Sequence, residues 1–128
     1  MRIDQQICRR GAWSGSRHGA AARPQLAFVF GPIARLADAA TWSELAGRFP
    51  GARVVGCSTA GELADVELFE DALVATAIEF EHSRVEVATV QLDEAADSAA
   101  LGACLAARLP ADGLVHVLVI SEGLNVNG

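Results

Sequence analysis

Two short apolar runs, each halted at a turn, constrain this chain more than any other feature. Leu26-Ala27-Phe28-Val29-Phe30 stops at Gly31-Pro32, and Ala52-Arg53-Val54-Val55-Gly56-Cys57 runs into Ser58-Thr59. Runs this short and this apolar suit strands covered on both faces. Between them, Thr41-Trp42-Ser43-Glu44 has the spacing of a capping box, with Thr41 bonding forward and Glu44 bonding back. Trp42, Leu45, Ala46 and Phe49 then share one helical face, and Pro50-Gly51 ends the helix. Strand, helix, strand in this length predicts a βαβ unit with parallel strands and a right-handed crossover.

The remaining segments extend that unit into a sheet. Residues 63–70 read as an acidic loop, and residues 71–80 as a longer strand with both faces largely covered. Glu81-His82-Ser83 is a turn, and residues 85–90 alternate as the second strand of an antiparallel hairpin. Asp97-Ser98 caps a second helix, whose stripe is Leu101, Cys104, Leu105 and Leu109. Residues 114–120 form one more apolar run, expected as a buried strand with His116 in its middle. The expected class is α/β: a mixed sheet in the order β-α-β-β-β-α-β with helices packed on it. If the first, second and last strands are parallel, their carboxyl ends share an edge where open α/β sheets bind ligands. The turns at that edge are Gly31-Pro32, residues 57–62 and residues 121–128.

Composition narrows the functions. Of 128 residues, 52% are apolar and 20% charged, enough to fill a core and too apolar for global disorder. No apolar run approaches the roughly 20 residues of a membrane span. All ten basic residues are arginine, so lysine Schiff-base chemistry and a Walker-type phosphate loop are excluded. Residues 1–23 hold five arginines against one acid, for +4, and the rest carries −10. An acidic body repels phosphate backbones, so no nucleic-acid partner is expected. The basic residues 1–24, with their Gly and Ser, read as a flexible lead-in containing at most a short edge strand near residues 3–8. Cys8, Cys57 and Cys104 are odd in number and widely spaced, which argues against a disulfide framework or zinc ribbon and for a reducing cytoplasm.

Two segments could carry chemistry. In Gly56-Cys57-Ser58-Thr59-Ala60-Gly61-Glu62, glycines bracket a thiol and two hydroxyls directly after a strand. Such glycines permit φ > 0, and successive free amides make an anion-binding nest. Ser58 and Thr59 add donors, and Glu62 could fix an amine. The same residues also suit a tight turn that satisfies its own backbone. The second segment is Ser121-Glu122-Gly123-Leu124-Asn125-Val126-Asn127-Gly128, whose asparagines tolerate left-handed backbone and carry two-way amides. A buried strand that stops inside a turn reads as a truncation. Cys57 as a nucleophile needs a base or another group that lowers its pKa. Neither His82 nor His116 is close to it in sequence. His116 reads as a core histidine, His82 as solvent-facing, and either as a weak haem-ligand alternative. Cys104 reads as core. No catalytic set is complete, so no enzyme is expected. The alternative is a cysteine-dependent enzyme using Cys57.

The stretch Phe49-Pro50-Gly51-Ala52-Arg53-Val54-Val55-Gly56-Cys57-Ser58-Thr59-Ala60-Gly61-Glu62-Leu63 resembles the hallmark of the FIST N-terminal domain family. Its spacing from Leu26-Ala27-Phe28-Val29-Phe30-Gly31 fits as well. Residues 120–128 are similar to that family's Ser-Asp-Gly-Leu-x-x-Asn-Gly segment, with Glu122 where Asp is usual. The resemblance implies an intracellular sensory module over residues 25–128 that binds a small polar ligand, such as an amino acid or another small polar or anionic metabolite. It implies signalling to a FIST C-terminal domain or to a partner such as a kinase or cyclase. A haem-binding nitric-oxide sensor is the family's alternative function. Position by position, the ligand-binding set it implies is Gly56, Cys57, Ser58, Thr59, Gly61 and Glu62 with Gly123, Asn125 and Asn127. No metal and no resident cofactor is expected, and haem is the alternative cofactor.

Overall fold

The computed structural model describes residues 1–15, 21–64, 66–91 and 97–121. The chain divides into two compact units, Met1–Val85 and Glu86–Gly128, taken here one at a time.

The first unit is built on a five-stranded mixed sheet. Its strands are β1 (Arg2–Arg9), β2 (Ala12–Ser14), β3 (Leu26–Gly31), β4 (Arg53–Ser58) and β7 (Ala72–Glu79), in the spatial order β2-β1-β7-β3-β4. β5 (Glu62–Ala64) and β6 (Glu67–Phe69) form a separate antiparallel ribbon. A four-residue helix α1 (Ile33–Leu36) and the ten-residue α2 (Ala39–Arg48) lie between β3 and β4. The α/β class is as expected. So is the parallel pairing of β3 with β4, from Leu26↔Arg53 to Gly31↔Ser58, across a helical connection.

One face of this sheet makes the core. Cys8 of β1, Ala27 and Val29 of β3, and Leu73, Ala75 and Ala77 of β7 are buried there with Leu45 of α2 and Phe49 at its C-terminal end. The alternation of these positions along each strand puts them on the same side. Small residues on β3 and β7 leave room for α2, so its large side chains reach the sheet. Burying Leu45 completely contributes roughly 1.5–3 kcal/mol.

Four local expectations are corrected. The α2 cap is Asp38, whose side chain accepts from the Ala40 N–H at 3.0 Å, so the helix begins before Thr41. Thr41 is buried inside it, and Glu44 accepts instead from Trp13 Nε1 of β2. The capping-box spacing occurs one turn too late because the Asp at 38 captures the free amides first. Within residues 1–24, β1 is an inner strand of eight residues, paired along its length with β7 from Arg2↔Glu79 to Arg9↔Ala72. Its polar residues hide that position, because Asp4, Gln5 and Gln6 bond to one another or to neighbours within the sheet. The acidic segment 63–70 is the β5–β6 ribbon, which turns Leu63 and Leu68 outward and Glu62 and Ala64 inward. Finally, β7 pairs with β1 and β3, both antiparallel, and residues 85–90 form no hairpin with it. β1 and β3 already occupy both edges of β7.

In the second unit, α3 (Ser98–Ala107) is capped by Asp97 as expected, through the Ala99 N–H at 3.4 Å. Leu101, Leu105 and Leu109 are half-buried, but Cys104 is exposed and is not core. Residues 86–91 and 114–121 are in no strand, and Val115, Leu118 and Val119 are largely exposed. Apolar alternation marks a segment able to pair, but a strand exists only once a second strand satisfies its amides.

Candidate functional site

The site is assembled at the carboxyl ends of the two parallel strands. β3 ends at Gly31 and β4 at Ser58, and these residues are register partners. The Thr59 N–H then donates to the Gly31 carbonyl at 3.1 Å, tying the turn after β4 to the turn after β3. The two turns expected to meet at this edge do meet. The third expected segment, with Gly123, Asn125 and Asn127, lies outside the described residues.

Gly56, Cys57 and Ser58 belong to β4 itself. Among the described residues the glycines with positive φ are Gly11, Gly15, Gly51 and Gly113, so Gly56 and Gly61 do not supply left-handed backbone here. Gly56 is required for a different reason. A Cβ at that position would lie 2.7 Å from the Val29 carbonyl carbon and collide with its oxygen, so only glycine lets β4 approach β3 this closely. Gly31 is similar, since a Cβ would lie 2.9 Å from the Ala72 carbonyl oxygen. At Gly61 a Cβ would touch Leu68 Cδ1 at 3.3 Å, so glycine here lets the turn close over the ribbon.

Beyond the strand the backbone surfaces and returns. Ser58, Thr59 and Ala60 are exposed, Gly61 is half-buried, and Glu62 is only 3% exposed. Glu62 is turned inward because it opens β5, where inward and outward positions alternate. Thr59 Oγ1 donates to Glu62 Oε1 at 2.6 Å. Glu62 Oε2 is buried and has no hydrogen-bond partner. The Thr59–Glu62 bond is the contact that sequence spacing missed. Its signal was present in the three-residue separation of hydroxyl and carboxylate.

The other expected participants stand apart from this arrangement. Cys57 is half-buried, opposite Phe30, with no hydrogen bond to a histidine. His82 is exposed as expected, and His116 is exposed rather than a core residue. Among the described residues no group of three His, Cys, Asp or Glu side chains is placed to hold a metal ion. Among them also, no helix is long and apolar enough to cross a membrane.

Glycine-dependent strand contact, strand-end turns joined by one amide, and an inward Glu after an exposed Ser-Thr pair together give physical content to the motif at 56–62. The FIST N domain matches residues 25–128. The chain belongs to the FIST N-domain family. FIST domains are sensory domains of signal transduction. The FIST N match begins just before β3, so β1 and β2 precede it in the chain while β1 sits inside the sheet. No curated protein and no solved structure matches the chain.

Proposed function

We propose that this chain is a small-ligand-binding sensory module whose ligand is received at the carboxyl ends of β3 and β4. Residues 56–62 supply its wall. One observation carries the reading. At a strand-end edge of the kind that binds ligands in open α/β sheets, a carboxylate is nine-tenths buried with one oxygen unmet. Buried polar atoms are nearly always paired, and among the described residues Glu62 Oε2 and Asp4 Oδ1 are the two side-chain atoms that are not. The ligand is small and polar, with amino acids the leading class. The signal passes to an attached FIST C-terminal domain or a partner signalling protein. Catalysis is not part of the reading. The free state of Cys8, Cys57 and Cys104 fits a reducing cytoplasm.

Thermal melts of the full chain against amino acids, small carboxylates, nucleotides and haem test the reading. A ligand at 100 times its dissociation constant adds about 2.7 kcal/mol. For a chain of this size that is a rise of about 10 °C. A shift with an amino acid or related metabolite is the expected result. A cooperative melt that no compound moves would overturn it.

A further inference from the structure

The ligand-facing chemistry of residues 58–62 is more specific than a polar turn. The Thr59 hydroxyl has one proton, and that proton is given to Glu62 Oε1. Thr59 therefore has none left for an anion. Glu62 Oε2 is an acceptor without a donor, and among the described residues no arginine forms an ion pair with it. β6 and β7 carry no basic residue either. Phe69 is the register partner of Glu62 on β6, and the Arg9 guanidinium lies over the Phe69 ring, 5.2 Å from its centroid. An incoming carboxylate or phosphate would meet a like charge. An incoming ammonium would meet an oriented acceptor, held in place by its bond to Thr59 and desolvated in advance, where charge-assisted hydrogen bonds are strong.

We propose that Glu62 Oε2 is the receptor for a protonated amine, so that the site selects primary ammonium compounds over carboxylates. This rests on the reading of residues 56–62 as the ligand site and names the end of the ligand that enters it. Glu62→Gln removes the charge but keeps the volume and an acceptor for Thr59, so the fold is retained. Thr59→Val removes the hydroxyl but leaves the carboxylate.

The test uses the full chain and titrates ethylammonium, acetate and glycine separately. Binding is read by melting temperature and by amide shifts at residues 58–62. Ethylammonium and glycine are expected to bind, and acetate not. Glu62→Gln is expected to weaken ethylammonium about ten- to a hundredfold, the equivalent of one hydrogen bond to a charged group. Thr59→Val, which frees the carboxylate from its tether, is expected to weaken it less than Glu62→Gln does, and the distant Glu81→Gln is expected to retain it. Binding of acetate without ethylammonium would overturn the amine assignment and leave a ligand site in place. Ethylammonium binding that is unchanged in Glu62→Gln would overturn the role of Glu62. Failure of all three probes to bind would overturn the amine assignment, and with the broader panel also silent it would overturn the ligand site itself.

Discussion

Gly56 shows how much one residue decides here. Its missing side chain is occupied by the Val29 backbone of the neighbouring strand, which cannot give way as a flexible side chain would. Gly56→Ala should cost about 3 kcal/mol or more, or prevent folding, measured by urea unfolding beside the unaltered chain. A stability within 0.5 kcal/mol of the original, about the scatter of ordinary surface changes, would show that β4 does not lie this close to β3. Glu81 is the contrasting case of an exposed charge. The Met1 ammonium donates to its Oε1 at 2.7 Å, and this bond and charge hold the Glu81 carboxyl below its usual 4.5, with Arg2 a smaller contributor. A carboxyl lowered in the folded state stabilises above its unfolded pKa, and that stabilisation is lost as pH falls through the folded value. The loss therefore lies below about pH 4.5, is small because both groups face solvent, and should fade in high salt. Carbon NMR titration should show Glu81 below the ordinary glutamate range, and N-terminal acetylation should return it there. Residue chemistry was only partly legible beforehand. Gly56 was singled out for a left-handed turn where the structure has a close strand contact, and the bond between Thr59 and Glu62 was not foreseen.

At the scale of elements, sequence shows which face of a segment is apolar but not which neighbour will satisfy its backbone. The βαβ unit was legible because its two strands are apolar on both faces and lie close together in the chain. β1 was not, since its pairing with β7 spans about seventy residues and its buried face carries Asp4 and Gln6 beside Cys8. Those polar groups are tied in series: Arg48 Nη1 of α2 donates to Gln6 Oε1 at 2.8 Å, and Gln6 Nε2 donates to Asp4 Oδ2 at 2.9 Å. β1 thus reads as polar by composition although it serves as an inner strand. A chain lacking residues 1–14 would leave one edge of β7 unpaired and remove Cys8 from the core. It should lose its cooperative thermal transition in circular dichroism. An unchanged midpoint would mean that β1 is an appendage to a sheet that stands without it.

At the scale of the molecule, the class of fold was legible and its extent was not. Among the described residues the strands that pair all come from Met1–Val85, although the segment 114–120 is among the most apolar in the chain. Hydropathy says that such a segment needs a partner, and it is silent on whether a partner is in reach. The placement of the two tryptophans follows the same division. Trp13 donates its ring N–H to Glu44 and lies under the Arg48 guanidinium at 4.5 Å, while Trp42 donates to the Leu36 carbonyl at 2.7 Å. Each indole therefore joins α2 to another element, β2 in one case and α1 in the other. The chain has no tyrosine, and residues 86–128 contain no Phe, Tyr or Trp. The intrinsic fluorescence of this protein is consequently an optical gauge of α2 docking. On denaturation its emission should shift when that helix leaves the sheet, whereas residues 86–128 contribute no emission of their own and their unfolding is followed through amide circular dichroism.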